Sequence, residues 1–319
     1  MKNKFIYLFW ILFFIFLLFS VVLFSLFAGL DKFSFKDSLR DNIIFDIRLP
    51  RIILGIIVGG LLALSGLILQ GLFRNVLVEP YTLGISGGAA LGAIFASILN
   101  LKSYSYPFAF LGAIFVIIFL YFFSIKGGIF KIEELLLNGV MISFISSSLI
   151  MLVMALFNVN DLRGIIFWIM GSLEDSDWQV VKIGIFILFF GLFFSYFFWK
   201  DLNALHLGEE EAMHLGINVE RTKRVLFILA SFFVSFCVSS CGIIGFVGLV
   251  VPHFLRMVLS YDYRVLLISS FLVGGIFLVF SDTIARLIIF PLELPVGVVT
   301  GILGGIVFIY VLRKNRLRF

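Results

Sequence analysis

Long stretches of this sequence contain no charged residue, and this feature limits the possible folds more strictly than any motif does. Asp, Glu, Lys and Arg are missing from windows 5–30, 52–73, 80–101, 103–125, 135–160, 183–199, 225–255, 265–281 and 294–312. A helix needs about 20 apolar residues to cross a bilayer, so the windows have the length for crossings. Spanning strands would be about 10 residues long with alternating polarity, which the windows lack. The sequence therefore predicts an all-α integral membrane protein.

Composition excludes two other classes of protein. Apolar residues make up 62% of the chain and charged residues only 13%. A soluble domain has about 25% charged residues, so this chain cannot cover a surface that faces water. The 42 Phe also exclude an intrinsically disordered chain. Two Cys provide no disulfide framework.

The windows predict about ten membrane-spanning helices in a single domain, residues 1–319. Window 225–255 is too long for one helix, and Gly242 and Gly245 predict a turn that divides it into two. The first window follows Lys2 and Lys4, as a secretory signal would. It is far longer than the roughly 7–15 apolar residues of a signal, so we interpret it as an uncleaved first helix.

Basic residues predict the orientation of the chain in the membrane. Ten spans place both termini on one side, and the basic residues flanking the spans are more frequent on that side. The positive-inside rule then makes both termini cytoplasmic and the mixed-charge loop 31–51 external. The net charge of +5 and the basic run 313–318 are explained by this topology, so no nucleic-acid partner is expected.

The longest polar stretch, residues 200–224, falls on the predicted cytoplasmic face. Apolar residues alternate with a cluster of glutamates, and Gly208 and Gly216 can divide the stretch into two short helices. Such an amphipathic pair, bounded at 201–222, is typical of a docking surface. An ordinary interfacial loop is the alternative.

Glycine spacing suggests an internal repeat. The segments GISGGAALGAIF (84–95) and GVVTGILGGIVF (297–308) match at Gly84/Gly297, Gly88/Gly301, Gly92/Gly305 and Phe95/Phe308. One segment begins inside and the other outside, as in the inverted repeats of transporters. Glycines that only pack membrane helices closely are the alternative.

Residues that could perform chemistry are few. There is no GxxxxGK[ST] motif for a nucleotide, and His206, His214 and His253 are dispersed without metal-ligand spacing. Cys237 and Cys241 share one helix face and are interpreted as packing residues. We therefore expect no catalytic residue, no metal and no cofactor in this chain.

The charge-free windows also indicate that transport by this chain would not be driven by an ion gradient. Ion-coupled transporters usually carry an acidic group inside the membrane, and the windows contain none. The energy for transport would then come from another subunit. At the outer ends of spans lie Arg48, Arg51 and Arg286, which are suited either to pairing with a partner's carboxylates or to contact with lipid headgroups.

Several motifs together resemble the FecCD-type permeases, the membrane subunits of ABC importers for iron-siderophores, haem and cobalamin. The motifs are RLPRIILGIIVGGLLALSGLILQGLFRNVLVEPYTLGISGGAALGAIFA (48–96), WIMGSLEDSDW (168–178), LGEEEAMHLGI (207–217), GIIGFVGLVVPHFLR (242–256) and DTIARLIIFPLELPVGVVTGILGGIVFIYVLR (282–313). The resemblance covers nearly the whole chain. It implies the type II ABC importer fold, with helices 2–5 and 7–10 related as an inverted repeat.

The resemblance also implies roles for individual residues. Arg48, Arg51 and Arg286 would bind acidic residues of an extracytoplasmic substrate-binding protein. A cytoplasmic gate would contain Asn75, Leu77, Lys131 and Ile132. The family usually has proline where this chain has Val76, which loosens the backbone of the gate loop. The residues expected to couple to an ATPase are Leu205, Leu207, Gly208, Glu209, Glu210, Ala212, Leu215 and Gly216.

The sequence therefore predicts a homodimeric permease of the bacterial or archaeal cytoplasmic membrane. Two ATP-binding cassette subunits would bind ATP and Mg and drive alternating access, while this chain would perform no covalent chemistry. The cargo would be a metal chelate of the ferric siderophore, haem or cobalamin class. A stand-alone secondary transporter or channel is the alternative, and it would move its substrate without ATP.

Overall fold

The computed structural model describes residues 2–28, 43–156, 166, 168–259, 261–289 and 292–315. Much of the predicted external loop 31–51 and the end of the basic run 313–318 lie outside these residues. The α-helices are α1 Lys2–Phe27, α2 Leu49–Leu72, α3 Ile85–Ile98, α4 Ser105–Phe123, α5 Ile132–Leu156, α6 Trp178–Phe197, α7 Trp199–Leu207, α8 Glu209–His214, α9 Val219–Cys241, α10 Val247–Val258, α11 Tyr263–Ile288 and α12 Val296–Asn315.

Short elements connect these helices. A π-helical turn, Ile44–Arg48, leads into α2, and 3₁₀ turns Pro80–Leu83 and Lys102–Tyr104 precede α3 and α4. A two-stranded antiparallel hairpin, β1 Ile125–Lys126 and β2 Ile129–Phe130, joins α4 to α5.

The ten predicted spans correspond to ten apolar helices in the described part of the chain. Seven helices are long and apolar enough to cross a membrane, and α3, α10 and α12 are shorter apolar helices. The division of window 225–255 is confirmed, because α9 ends at Cys241 and α10 begins at Val247. At 1.5 Å per residue, α10 extends about 18 Å and cannot cross a hydrocarbon core of about 30 Å alone.

Helix α2 is the buried centre of the bundle, and close glycine contacts surround it. A Cβ atom at Gly59 would overlap the backbone of Gly274 in α11, and one at Gly66 would overlap the backbone of Gly248 in α10. Apolar side chains gain little by leaving lipid for protein, so membrane helices associate through such close packing.

The contacts between helices follow the predicted inverted repeat. Helix α2 packs on α10 and α11, while α9 packs on α3 and α4. Helix α3 in turn packs on α4 and α5, as α10 packs on α11 and α12. Exchanging α2–α5 with α9–α12 preserves this pattern, and these are the second to fifth and seventh to tenth spans.

The glycine match between segments 84–95 and 297–308 does not pair the helices that this symmetry relates. The contacts relate α3 to α10, whereas the match paired α3 with α12. Gly88 lies against the backbone of Gly112, but Gly301 has no atom of another residue within 4 Å of its Cβ position. The better equivalent of Gly84 is Phe246, because both residues cap a short helix with positive φ, 73° and 69°.

The connections separate into two ends of the bundle. At one end, which we call the arginine end, Arg48 donates to the carbonyl of Leu26 and Trp178 donates to that of Phe45. At the other, the coupling end, Phe130 of the hairpin donates to the Glu220 carboxylate, and Asn203 of α7 accepts from the Tyr263 N–H. The carboxyl end of α1 and the amino end of α12 lie at the arginine end. The amino end of α1 and the carboxyl end of α12 therefore lie at the coupling end.

Candidate functional site

A buried cluster of charges lies at the arginine end, between α2 and α11. Arg51 of α2 donates to Asp282 Oδ1 from Nη2 at 2.8 Å and from Nε at 3.0 Å. Its Nη1 donates to Glu293 at 2.6 Å. The Arg51 and Asp282 side chains are only 6% and 3% exposed, whereas Glu293 is 37% exposed. Two carboxylates thus hold one guanidinium group away from solvent.

The other two arginines complete this cluster. Arg286, one turn after Asp282, lies 3.1 Å from its Oδ2 and donates to the Ser25 hydroxyl at 2.7 Å. Arg48 donates to the carbonyls of Leu26 and Ala28. The arginines therefore fasten α1, α2 and α11 together. Their role in docking a binding protein stays a prediction.

Sequence reasoning missed the two carboxylates of this cluster. Asp282 lies one residue beyond the charge-free window 265–281, and Glu293 one residue before the window 294–312. The spacing of Asp282 and Arg286 at i and i+4 was a signal for an ion pair on one helix face. The premise that no acidic group is buried was wrong, since Asp282 is 2% exposed.

A second polar contact supports the non-helical turn 242–246 between α9 and α10. The Glu79 carboxylate accepts from the Phe246 N–H, and the Tyr81 hydroxyl accepts from the Ile244 N–H at 3.2 Å. Non-helical backbone at membrane depth needs such partners.

Near the coupling end, Gln70 and Arg256 form another contact that sequence reasoning missed. Gln70 is 2% exposed and donates to the carbonyl of Gly248 at 3.1 Å, while its side-chain oxygen accepts from Arg256. Arg256 is 8% exposed and also bonds Tyr263. This network joins the last turns of α2 and α10 to the first turn of α11.

The four predicted gate residues lie in two separate segments. Asn75 and Leu77 are exposed in the loop after α2, and Lys131 and Ile132 lie between β2 and the first turn of α5. No hydrogen bond or ion pair links the two segments within the described residues. The Asn75 side chain accepts from the Leu77 N–H at 2.9 Å. This turn restrains the loop around Val76 without a proline.

The predicted coupling residues form two short helices, α7 and α8, with distinct inner and outer faces. Leu205, Gly208 and Ala212 are buried against the bundle, Glu209 is partly buried, and Leu207, Glu210, Leu215 and Gly216 are exposed. Lys223 of α9 pairs with Glu209, and His206 stacks on Tyr261 with ring centroids 5.1 Å apart. The pair is thus fixed to the bundle and presents apolar side chains outward.

The remaining histidines and cysteines form no common site in the described residues. His253 packs against Phe308, and His214 is exposed. Cys237 and Cys241 are free and buried. Among the described residues, no group of three His, Cys, Asp or Glu side chains is arranged to hold a metal ion.

These features define a class of protein: a multi-pass helical membrane protein with an inverted repeat and a short helix pair at one end. A family model described as the FecCD transport family matches residues 8–314. The chain belongs to this family, and it is a permease of the ABC importer type.

Three named relatives align with most of this chain. The cobalamin import system permease protein BtuC of Halobacterium salinarum is 41% identical, with 86% of this chain and 74% of the relative covered. The hemin transport system permease protein HmuU of Yersinia pestis is 36% identical, with 86% and 84% covered. The vitamin B12 import system permease protein BtuC of Salmonella typhi is 36% identical, with 96% and 95% covered.

Solved structures agree with the fold. An inward-facing ABC transporter described as of the metal-chelate type matches with a TM-score of 0.87 and 29% identity, over 97% of this chain and 99% of the other. The PsaBC complex of Streptococcus pneumoniae matches with a TM-score of 0.57 and 18% identity, over 89% and 93%, and shows only a shared fold.

Proposed function

We propose that two copies of this chain form the translocation path of an importer powered by separate ATPase subunits. The ATPases, which bind ATP and Mg, dock on α7 and α8 at the coupling end. An extracytoplasmic binding protein docks at the arginine end and delivers the substrate. The importer lies in the cytoplasmic membrane of a bacterium or archaeon, with both termini in the cytoplasm.

The observation that carries this proposal is the exposure of apolar side chains on the helix pair. Leu207 and Leu215 are each 65% exposed and Met213 is 56% exposed, in a segment that also bears Glu210 and Glu211. The two helices, of 9 and 6 residues, are too short to cross a bilayer and bury these apolar groups there. A protein partner would cover them.

Charge supports docking at the arginine end. Among the described residues of the cluster, Arg48, Arg51 and Arg286 face two carboxylates, those of Asp282 and Glu293, which leaves an excess of positive charge. Arg48 and Glu293 are its more accessible members. An acidic surface on the binding protein would complement this excess and guide its approach.

A second copy of the chain would cover exposed faces of α5 and α12. On α5, Leu137, Phe144 and Met151 are 58%, 67% and 68% exposed. On α12, Gly301 faces open space beside Ile302, which is 59% exposed. Small residues in such a position permit close approach of another helix.

The proposed cargo is a metal chelate of the cobalamin, haem or ferric siderophore class. Support comes from the printed names of relatives that import cobalamin, hemin and vitamin B12. Reconstituted complexes should take up radiolabelled cobalamin, hemin or a ferric siderophore only with ATP and the binding protein. Uptake by the isolated chain without ATP would instead support the stand-alone transporter.

The ATPase dock can be tested by co-purification. Leu207→Glu and Leu215→Glu place charge on the exposed apolar face and should abolish recovery of the ATPase with the tagged permease. Leu101→Glu, at a residue 40% exposed near the arginine end, is the matched control and should leave recovery unchanged. Equal recovery of the ATPase with all three variants would disprove the dock.

A further inference from the structure

A cavity of about 470 Å³ lies at the coupling end, between the end of α4 and the beginning of α9. Tyr121 of α4 forms one wall, and Asn218, which caps α9, lies at the polar end. The cavity is separate from the outward face of α7 and α8.

The α9 wall of the cavity is amphipathic along its length. Arg221, Arg224, Val225 and Ile228 all line it, and their spacing at i, i+3, i+4 and i+7 places them on one stripe of the helix. The two guanidinium groups come first, and the two aliphatic side chains lie one to two turns deeper. Ile228 is 47% exposed, in a helix that is a candidate membrane span.

The two arginines have N–H donors that no acceptor among the described residues occupies. The Arg221 side chain has no hydrogen bond or ion pair there. Arg224 donates to the Gly128 carbonyl, but its Nε is buried without a hydrogen-bond partner. The Arg221 side chain is exposed and the Arg224 side chain is 31% exposed, so the accessible part of each guanidinium group can pair with an acceptor from outside the chain.

One carboxylate also lines the cavity, but other groups engage it. Glu220 accepts from the Phe130 N–H at 2.6 Å, and Lys223 Nζ lies 3.7 Å from it. Its separation from Arg224 is 3.9 Å, at the limit of an ion pair. The cavity therefore keeps an excess of positive charge above an apolar floor.

We propose that this cavity binds an anionic phospholipid. The headgroup phosphate pairs with Arg221 and Arg224, and Asn218 and Tyr121 supply further polar contacts. An acyl chain lies along Val225 and Ile228. Basic pockets between membrane helices at the water boundary bind such headgroups, and the amino end of α9 adds favourable electrostatics for a phosphate.

Lipid binding by the purified full-length chain tests the proposal. Native mass spectrometry would measure binding of phosphatidylglycerol and phosphatidylcholine to the wild type and to Arg221→Gln/Arg224→Gln. A contribution of about fivefold per arginine predicts that the double variant binds phosphatidylglycerol more than about tenfold more weakly. Phosphatidylcholine binding should change little. The control Lys200→Gln/Arg313→Gln removes two exposed charges from the same end and should stay within about twofold of the wild type.

Three results would overturn the proposal. The first is unchanged phosphatidylglycerol binding by the double variant, and the second is an equal loss in the control. The third is full displacement of the lipid by millimolar inorganic phosphate, which would identify a site for free anions. If loss of the Arg224 contact to Gly128 unfolds the double variant, Arg221→Gln alone should still weaken binding about fivefold, because that side chain makes no hydrogen bond or ion pair with the described residues.

Discussion

Replacing Asp282 by Asn should destabilise the protein much more than replacing Glu293 by Gln. Asp282 faces two guanidinium groups, those of Arg51 and Arg286, whose side chains are 6% and 10% exposed. Removing its charge leaves Glu293 as the one acidic neighbour of both cations among the described residues of the cluster. Loss of one partner from a buried ion pair costs about 3–5 kcal/mol.

The Glu293→Gln variant is the matched control, since it also removes one carboxylate from Arg51. Glu293 is 37% exposed, so water can replace much of its contribution. A pair with an exposed partner contributes about 0–1 kcal/mol. The double variant Arg51→Met/Asp282→Leu should recover part of the stability lost in Asp282→Asn, because it removes one of the unpaired cations.

The cysteines of this chain provide an assay for unfolding. Cys237 and Cys241 are 1% and 4% exposed, so a fluorogenic maleimide should react with them only as the detergent-solubilised protein unfolds. At about 1–2 °C per kcal/mol, Asp282→Asn should lower the midpoint by about 3–10 °C, and Glu293→Gln by about 2 °C or less. Equal midpoints, or a larger effect of Glu293→Gln, would refute the assigned roles of the two carboxylates.

Three further variants test other contacts with the same assay. Gly66→Ala should cost about 1–3 kcal/mol because its methyl group overlaps the Gly248 backbone, whereas Gly301→Ala should leave the chain's own melting midpoint unchanged; similar midpoints would contradict close packing at Gly66. Glu79→Ala should cost about 1–3 kcal/mol by leaving the Phe246 N–H without an acceptor, and Glu79→Gln should cost less because it retains one; an equal loss would show that the charge matters instead. Burial lowers the pKa of His206, so its contribution to stability is complete above the ordinary histidine pKa of about 6.5 and is lost as pH falls below it. His206→Phe, which keeps the stack on Tyr261, should therefore show a smaller decrease in midpoint between pH 7.5 and pH 5.5 than the wild type, and an equal decrease would exclude His206 as a cause.

Much of the fold could be predicted from the sequence because lipid imposes a simple rule on long segments. Each crossing needs a continuous apolar run, so the windows located the helices and the glycines at 242 and 245 located the break between α9 and α10. The coupling segment was predicted from the polar residues and glycines that interrupt the apolar runs, whereas the gate segments were predicted only from the family resemblance, and both roles stay predictions. The motifs then predicted the family, which the match over residues 8–314 confirms.

The partners of individual side chains could not be predicted in the same way. Arg51 lies 231 positions from Asp282, and the Phe246 N–H meets Glu79 across 167 positions. Nothing local specifies such pairs, since they depend on how α2 crosses α11 and on where the turn 242–246 lies. The glycine match failed for a related reason: similar spacing in α3 and α12 serves a close contact at Gly88 and an open face at Gly301.

The absence of charge in the windows by itself determined that this chain is a helical membrane protein, because an apolar run of that length is stable only in lipid or a large core. Tertiary structure decided what the few charged residues do. It placed Asp282 between Arg51 and Arg286, away from water, and left Leu207 and Leu215 facing outward. The physical reason is that a spanning segment needs only a low average polarity to be stable in a bilayer. The burial and pairing of an individual charged side chain depend on which helices pack against each other.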